Sequence, residues 1–156
     1  ALIAQGADII MQHTDSTAPM TVAEEEDGVR AFGQASDMSA WGPSAHLTSI
    51  INNWGPYYAD RVKAVRDGTW TSADTFDGVE EGMVTFAPMQ NMPDEVMWEA
   101  QDTILDLDAG AVHPFTGPIN RQDGSVWLAE GETPPMFPDI ITMDFYVEGI
   151  DSKYPN

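Results

Sequence analysis

Short apolar runs alternate with helix-patterned stretches along most of this chain, and glycine and proline punctuate the short links between them. That alternation admits few folds. Ala7-Asp8-Ile9-Ile10-Met11-Gln12 reads as a brief buried strand. Asp15-Ser16-Thr17-Ala18-Pro19 offers N-cap side chains and an early proline for a helix to about Asp27, and Gly28 ends it. Residues 29–33, 46–51 and 82–86 read as three further strands. Gly55-Pro56 opens a helix through Arg66 with a stop at Gly68. Pro93-Asp94 opens another, which places Val96, Ala100, Ile104 and Leu107 on one face before Gly110. Strands alternating with helices favour a parallel sheet covered on both faces, so the expected class is α/β with one largely parallel sheet.

Beyond Gly110 the pattern changes. Ile119-Asn120 and Ser125-Val126-Trp127-Leu128 flank Arg121-Gln122-Asp123-Gly124, whose Asp-Gly pair signals a hairpin. The run Thr133-Pro134-Pro135-Met136-Phe137-Pro138 then separates a last segment over residues 140–149. The organisation expected is an α/β lobe over residues 1–112, followed by a hairpin and tail over 113–156 that pack on the lobe or on a hinge. At the other end, residues 1–5 resemble the last turn of a helix closed by Gly6. A doubly wound domain opens with a strand, so the first strand and helix of the lobe are expected to precede this sequence.

Composition narrows the partners. The 156 residues include 26 Asp+Glu against 6 Lys+Arg, a formal net charge of -20. Six cations cannot neutralise a phosphate backbone or an anionic membrane surface, which excludes nucleic acid. A hydrophobic content of 42% suffices for a core. The absence of cysteine removes thiolate nucleophiles, disulfides and cysteine zinc sites.

In an open parallel sheet ligands bind beyond the carboxyl ends of the strands, and three segments there are polar. They are Gln12-His13-Thr14-Asp15-Ser16, Gln34-Ala35-Ser36-Asp37-Met38 and Asn52-Asn53-Trp54-Gly55. Together they offer amide, carboxylate and hydroxyl groups for a heterocycle edge and an indole face for stacking, a set suited to a small polar planar ligand. Each residue also has a plainer use. Asp15 and Ser16 would serve equally as helix caps, Asn52 and Asn53 as turn closers, Trp54 as a core aromatic and His13 as a hydrogen-bonded structural histidine. Enzyme signatures are sparse: His13-x-Asp15 could form an acid/base pair, but there is no HExxH, Gly-x-Ser-x-Gly, Walker loop or dinucleotide fingerprint. Glu24-Glu25-Glu26-Asp27 reads as a solvated helix end.

Gly6-Ala7-Asp8-Ile9-Ile10-Met11-Gln12-His13-Thr14-Asp15-Ser16, Ala31-Phe32-Gly33-Gln34-Ala35-Ser36-Asp37-Met38 and Asn53-Trp54-Gly55-Pro56-Tyr57-Tyr58 resemble blocks of the basic membrane lipoprotein (BMP) family. The resemblance continues through Asp67-Gly68-Thr69-Trp70, Glu81-Gly82-Met83-Val84, His113-Pro114-Phe115-Thr116-Gly117-Pro118 and Tyr146-Val147-Glu148-Gly149, nearly the whole chain. These are substrate-binding proteins of ABC importers, built of two Rossmann-like lobes joined by a hinge. The resemblance implies a doubly wound carboxy-terminal lobe and a purine nucleobase or nucleoside held in an interlobe cleft. The cleft residues would be Gln12, His13, Thr14, Asp15, Gln34, Asp37, Asn53 and Trp54. It further implies no cofactor, no metal and no catalysis, permease subunits and an amino-terminal lobe as partners, and a periplasmic or extracellular location with a lipoprotein anchor. Nucleoside-binding members use a cleft lysine, whereas Val79-Glu80-Glu81-Gly82 carries only acids, which favours a free base such as adenine. The rival readings are a ligand-sensing receptor ectodomain of the same fold and an enzyme acting on a nucleobase or sugar.

Overall fold

The structure is a computed structural model and describes residues 1–155, apart from the Phe137 side chain. It divides into two compact units, Ala1–Asp108 and the residues from Ala109 onward.

The first unit holds four strands and three helices in the order β1 (Ile9–Ile10), α1 (Ala18–Glu25), β2 (Arg30–Ala35), β3 (His46–Asn52), α2 (Trp54–Arg66), β4 (Val84–Phe86) and α3 (Asp94–Asp108). The strands form one sheet in chain order, with β1, β2 and β3 parallel. Strand β4 completes it but runs antiparallel to β3, a difference from an all-parallel arrangement. The path between them explains the reversal. Residues 67–83 form neither strand nor helix and bring the chain to the carboxyl end of β3. There the Asn53 N–H donates to the Met83 carbonyl at 2.7 Å, and Asn53 Nδ2 donates to the Gly82 carbonyl at 3.0 Å. Entering beside the last residue of β3, the chain can only pair by running back along it. An antiparallel edge on a parallel sheet is common in such folds.

Helix α1 starts at Ala18, directly after its cap candidates. Thr17 occupies the N-cap position without a side-chain cap bond, while Ser16 Oγ accepts from the Ala18 N–H at 3.2 Å. Pro19 sits in the first turn, where its missing N–H costs nothing. Met20 and Ala23, three residues apart, share the buried face. They join Val29, Ala31, Met38 and Ala45 in the core, with Ile3 and Ile10 packed against it. Met20 is fully buried, worth about 1.5 to 3 kcal/mol by transfer alone. Helix α2 starts at Trp54, just before Gly55-Pro56, and Lys63 and Arg66 in its last turn complement the helix dipole. Asp94 and Glu95 do the same at the start of α3. Ahead of β1, a short 3-10 turn over Ile3–Gln5 ends on Gly6 at φ 95°, as the glycine stop requires.

In the second unit, β5 (Ile119–Asn120) and β6 (Val126–Leu128) form the antiparallel hairpin. Asp123 Oδ1 accepts from the Ser125 N–H at 2.9 Å across the turn. Trp127 lies edge-on to Phe115 and Phe145, and the Arg121 guanidinium covers the Phe145 ring.

Candidate ligand-binding site

Because β1, β2 and β3 are parallel neighbours, the segments that follow them emerge side by side at one edge of the sheet. Strands about 4.8 Å apart place three such segments across roughly 10 Å, the width of a bicyclic heterocycle. The side chains there differ in how far the protein already engages them.

Gln12 is half-buried and ties the first two segments together: its Nε2 donates to the Phe32 carbonyl at 3.3 Å and contacts Met38 Sδ at 3.4 Å. Its Oε1 is buried without a hydrogen-bond partner. A buried carbonyl oxygen left unpaired costs about 1 to 3 kcal/mol, which favours turning the amide outward. His13, Thr14 and Asp15 are exposed, and their side chains make no hydrogen bond among the described residues. Gln34 is half-buried with an equally unengaged amide. Ala35 follows at φ 65°, a left-handed conformation that costs an alanine about 1 kcal/mol and turns the chain sharply out of β2.

Asp37 is partly committed. Its Oδ1 accepts from the Ser39 N–H at 2.9 Å, which closes the 3-10 turn over Ser39–Trp41. That N–H, with a further Ser39 side-chain contact, holds the carboxyl below its usual range against a smaller effect of burial. The residue is therefore ionised and keeps Oδ2 free. Asn53 has spent its amide on Gly82, leaving Oδ1. Trp54 is 46% exposed, with one face stacked on Tyr58 and its edge against Tyr57. It is a surface aromatic rather than a core one.

Among the described residues, two grooves take one of these groups each. An apolar groove of about 470 Å³ holds Gln12 together with Leu2, Met11 and Val22, while a smaller one of about 110 Å³ holds Asn53 with Tyr57, Asp60, Arg61 and Glu81. The site is an open edge. Sequence reasoning missed Tyr57 and Tyr58 as partners of Trp54, and it missed His46 and Ser49, both fully buried under the Asp37 segment. Burial pushes the His46 ring below its ordinary range, opposed by the charge of Asp37. The remaining catalytic reading finds little geometry. His13 and Asp15 make no contact with each other among the described residues, and the His46–Ser49 pair is closed to any substrate.

Against known proteins, the family of PnrA-like ABC transporter substrate-binding proteins (Bmp) matches residues 1–116. A purine-binding protein of Brucella abortus (strain 2308) is 52% identical over 99% of this chain, and a Haloferax volcanii protein named provisionally for ABC-transporter glucose binding is 29% identical over 100% of it. The chain spans 44% and 37% of their respective lengths. The crystal structure of a transcriptional activator of the comK gene from Bacillus halodurans aligns with a TM-score of 0.62 at 23% identity, covering 72% of this chain and 41% of that one. An ABC transporter solute-binding protein from Conexibacter woesei DSM 14684 aligns at 0.53 and 18% identity, covering 72% and 38%. At such identities the likeness concerns the fold alone, a mixed α/β lobe built on a largely parallel sheet. With three quarters of its length inside the matched region, the chain belongs to the PnrA-like family of ABC transporter substrate-binding proteins.

Proposed function

We propose that this chain is the purine-recognising lobe of a non-catalytic solute-binding protein, which captures a free base such as adenine outside the cytoplasm and delivers it to ABC permease subunits. The reading is carried by one observation: three polar segments share the carboxyl edge of parallel strands, and the buried Gln12 Oε1 among them lacks a donor. The 52% identity to a purine-binding protein supports the ligand class. With the Gln12 amide turned outward, its Oε1 accepts an N–H of the heterocycle, Asp37 Oδ2 a second one, and the Gln34 amide either donates or accepts. The Trp54 indole stacks on the ring. His13, Thr14, Asp15 and the remaining Asn53 oxygen rim the site. The absence of lysine near Glu80-Glu81 favours a base over a nucleoside, and lipoprotein anchoring of the whole protein fits the family.

A second lobe closes over the other face of the ligand in this reading. A whole binder of micromolar affinity spends about -8 kcal/mol, and half of that leaves about -4 kcal/mol, a millimolar interaction. Titrating the ¹⁵N-labelled chain with adenine, adenosine and glucose therefore tests the proposal by nuclear magnetic resonance, which detects binding that weak. Adenine is expected to move the amide signals of residues 12–15, 34–37 and 53–54, with adenosine weaker and glucose silent. Shifts confined to other residues, or glucose acting where adenine does not, would sink the reading. Turnover of adenine, adenosine or inosine would replace it with an enzyme.

A further inference from the structure

His46 and Ser49, both buried, form a polar chain with the half-buried Gln90 beneath the segment that carries Asp37. Its origin is an irregularity in the sheet: Ala31 pairs with His46 but Gly33 pairs with Ser49, so β3 spends one residue more than β2 over this stretch. In a regular strand, residues three apart project from opposite faces. The extra residue resets the alternation. His46 Nε2 consequently lies 2.8 Å from Ser49 Oγ, with both residues fully buried. On the other side of the ring, Gln90 Nε2 stands 2.9 Å from Nδ1. An amide nitrogen can only donate, so Nδ1 accepts and the ring proton resides on Nε2, facing Ser49. Ser49 Oγ accepts a second bond, from the Met38 backbone N–H at 3.0 Å. Room for this hydroxyl exists because residue 33 is glycine: a Cβ there would stand 2.0 Å from Ser49 Oγ. Asn91 Nδ2 holds the His46 carbonyl at 2.8 Å, fixing the start of the strand.

These groups touch no substrate. What they hold is Met38, the residue next to Asp37. We propose that His46 is a positioning residue for ligand capture: through Ser49 it clasps the Met38 amide and so sets the conformation of residues 34–37. The inference rests on the reading of this edge as the purine site. It also makes the clasp sensitive to acid. A second proton on the ring would sit on Nδ1 and point at the Gln90 N–H, donor against donor. Either Gln90 turns over or the ring leaves its place. Asp37 Oδ1, 3.9 Å from Nε2, is the one charged group acting on the ring among the described residues, and it draws the cation toward the loop. Ser49, Gln90 and Asn91, which face His46 from β3 and from the segment after β4, carry no charge.

Amide hydrogen exchange on the ligand-free, ¹⁵N-labelled chain tests the clasp. Ser49→Ala is expected to raise exchange at Met38 by about tenfold while the β2–β3 ladder amides stay protected. His46→Leu should do the same, and His46→Gln, whose amide donates to Ser49 without titrating, should restore protection. Between pH 7 and pH 5 the Met38 amide signal should follow the His46 ring in the wild type and stay flat in His46→Gln. In the adenine titration, Ser49→Ala should weaken the shifts at residues 34–37. Unchanged Met38 exchange in Ser49→Ala, or a pH response that persists in His46→Gln, overturns the clasp. A clasp with all its signatures but an adenine-silent loop would overturn the ligand reading instead.

Discussion

Gly33 is one of two positions, with Gly117, where an added carbon would come within 2.0 Å of a neighbour. At Gly33 a Cβ meets Ser49 Oγ at 2.0 Å and Met38 Cβ at 3.0 Å, and neither neighbour is a flexible chain end. Gly33→Ala is expected to destabilise the fold by about 1 to 3 kcal/mol, the range for overpacking, read from the urea midpoint. Met20 poses the opposite case. It is fully buried between α1 and the sheet core, so Met20→Ala opens a cavity and should cost about 2 to 5 kcal/mol in the same assay. Trp54 is expected to act on binding rather than on the core, because it is half exposed and, among the described residues, its ring contacts are with Tyr57 and Tyr58. Its replacement by alanine should leave the melting temperature within about a degree or two of wild type, as surface changes do. It should remove ~1 to 3 kcal/mol of adenine affinity, the value of stacking a base on an aromatic ring, which would abolish the weak shifts expected of this chain.

Among the elements, the junction of α1 with the β2–β3 connection is packed by Met20, Ala23, Met38 and Ala45 and closed at its surface by one carboxylate. Glu24 Oε2 accepts from the Ser44 and Ala45 N–H groups, each at 2.8 Å. Burial raises its pKa, but these two bonds outweigh that effect and leave the carboxyl below 4.5. A carboxylate with a lowered folded-state pKa stabilises the fold above its unfolded value, and the benefit fades as pH falls through the folded value. Glu24→Gln should therefore lower the urea midpoint at pH 7, and the gap to wild type should narrow below pH 4.5. His46 acts earlier on the acid side. Its folded pKa lies below 6.5, so the unfolded chain takes up the proton first, and its contribution is complete above pH 6.5 and eroded as pH drops from there. A wild-type stability profile that declines first below about 6.5 and again below about 4.5 is expected, with the first step missing in His46→Gln.

For the molecule as a whole, 26 carboxylates face 6 Lys+Arg, and among the described residues Arg66–Asp67 is the one cation–carboxylate pair that closes, between sequence neighbours. Self-repulsion is thus barely offset by pairing. Salt screens it over a Debye length of about 10 Å at 0.1 M and about 3 Å at 1 M. Raising KCl from 50 mM to 1 M should lift the melting temperature by a few degrees, roughly what one or two kcal/mol produces in a chain this size. A flat response would mean that the charges are too dispersed to strain the fold. The exposed groove at Leu2, Met11 and Val22 and the open polar edge near Gln12 lie on this same acidic unit.

Strand and helix order, the glycine stops at Gly6 and Gly68, the Asp123-Gly124 hairpin and the three polar segments were legible from the amino acids, because each depends on local periodicity or on backbone freedom a few residues long. The parallel pairing of β1 to β3 followed from their helical or looped links. Other features depend on partners far along the chain. The reversal of β4 depends on Asn53 meeting Gly82 and Met83, 29 and 30 positions away. The pairing of His46 with Ser49 depends on a register slip against β2, and a strand read alone puts those two side chains on opposite faces. Asp37, chosen for its free carboxylate, gives one oxygen to the Ser39 turn, and Gln12, chosen for its amide, bridges two segments while its carbonyl stays unpaired. Sequence determines which groups can bond. Only tertiary packing decides which of them are already satisfied, since a hydrogen bond consumed inside the fold and one offered to a ligand are the same residue in the chain.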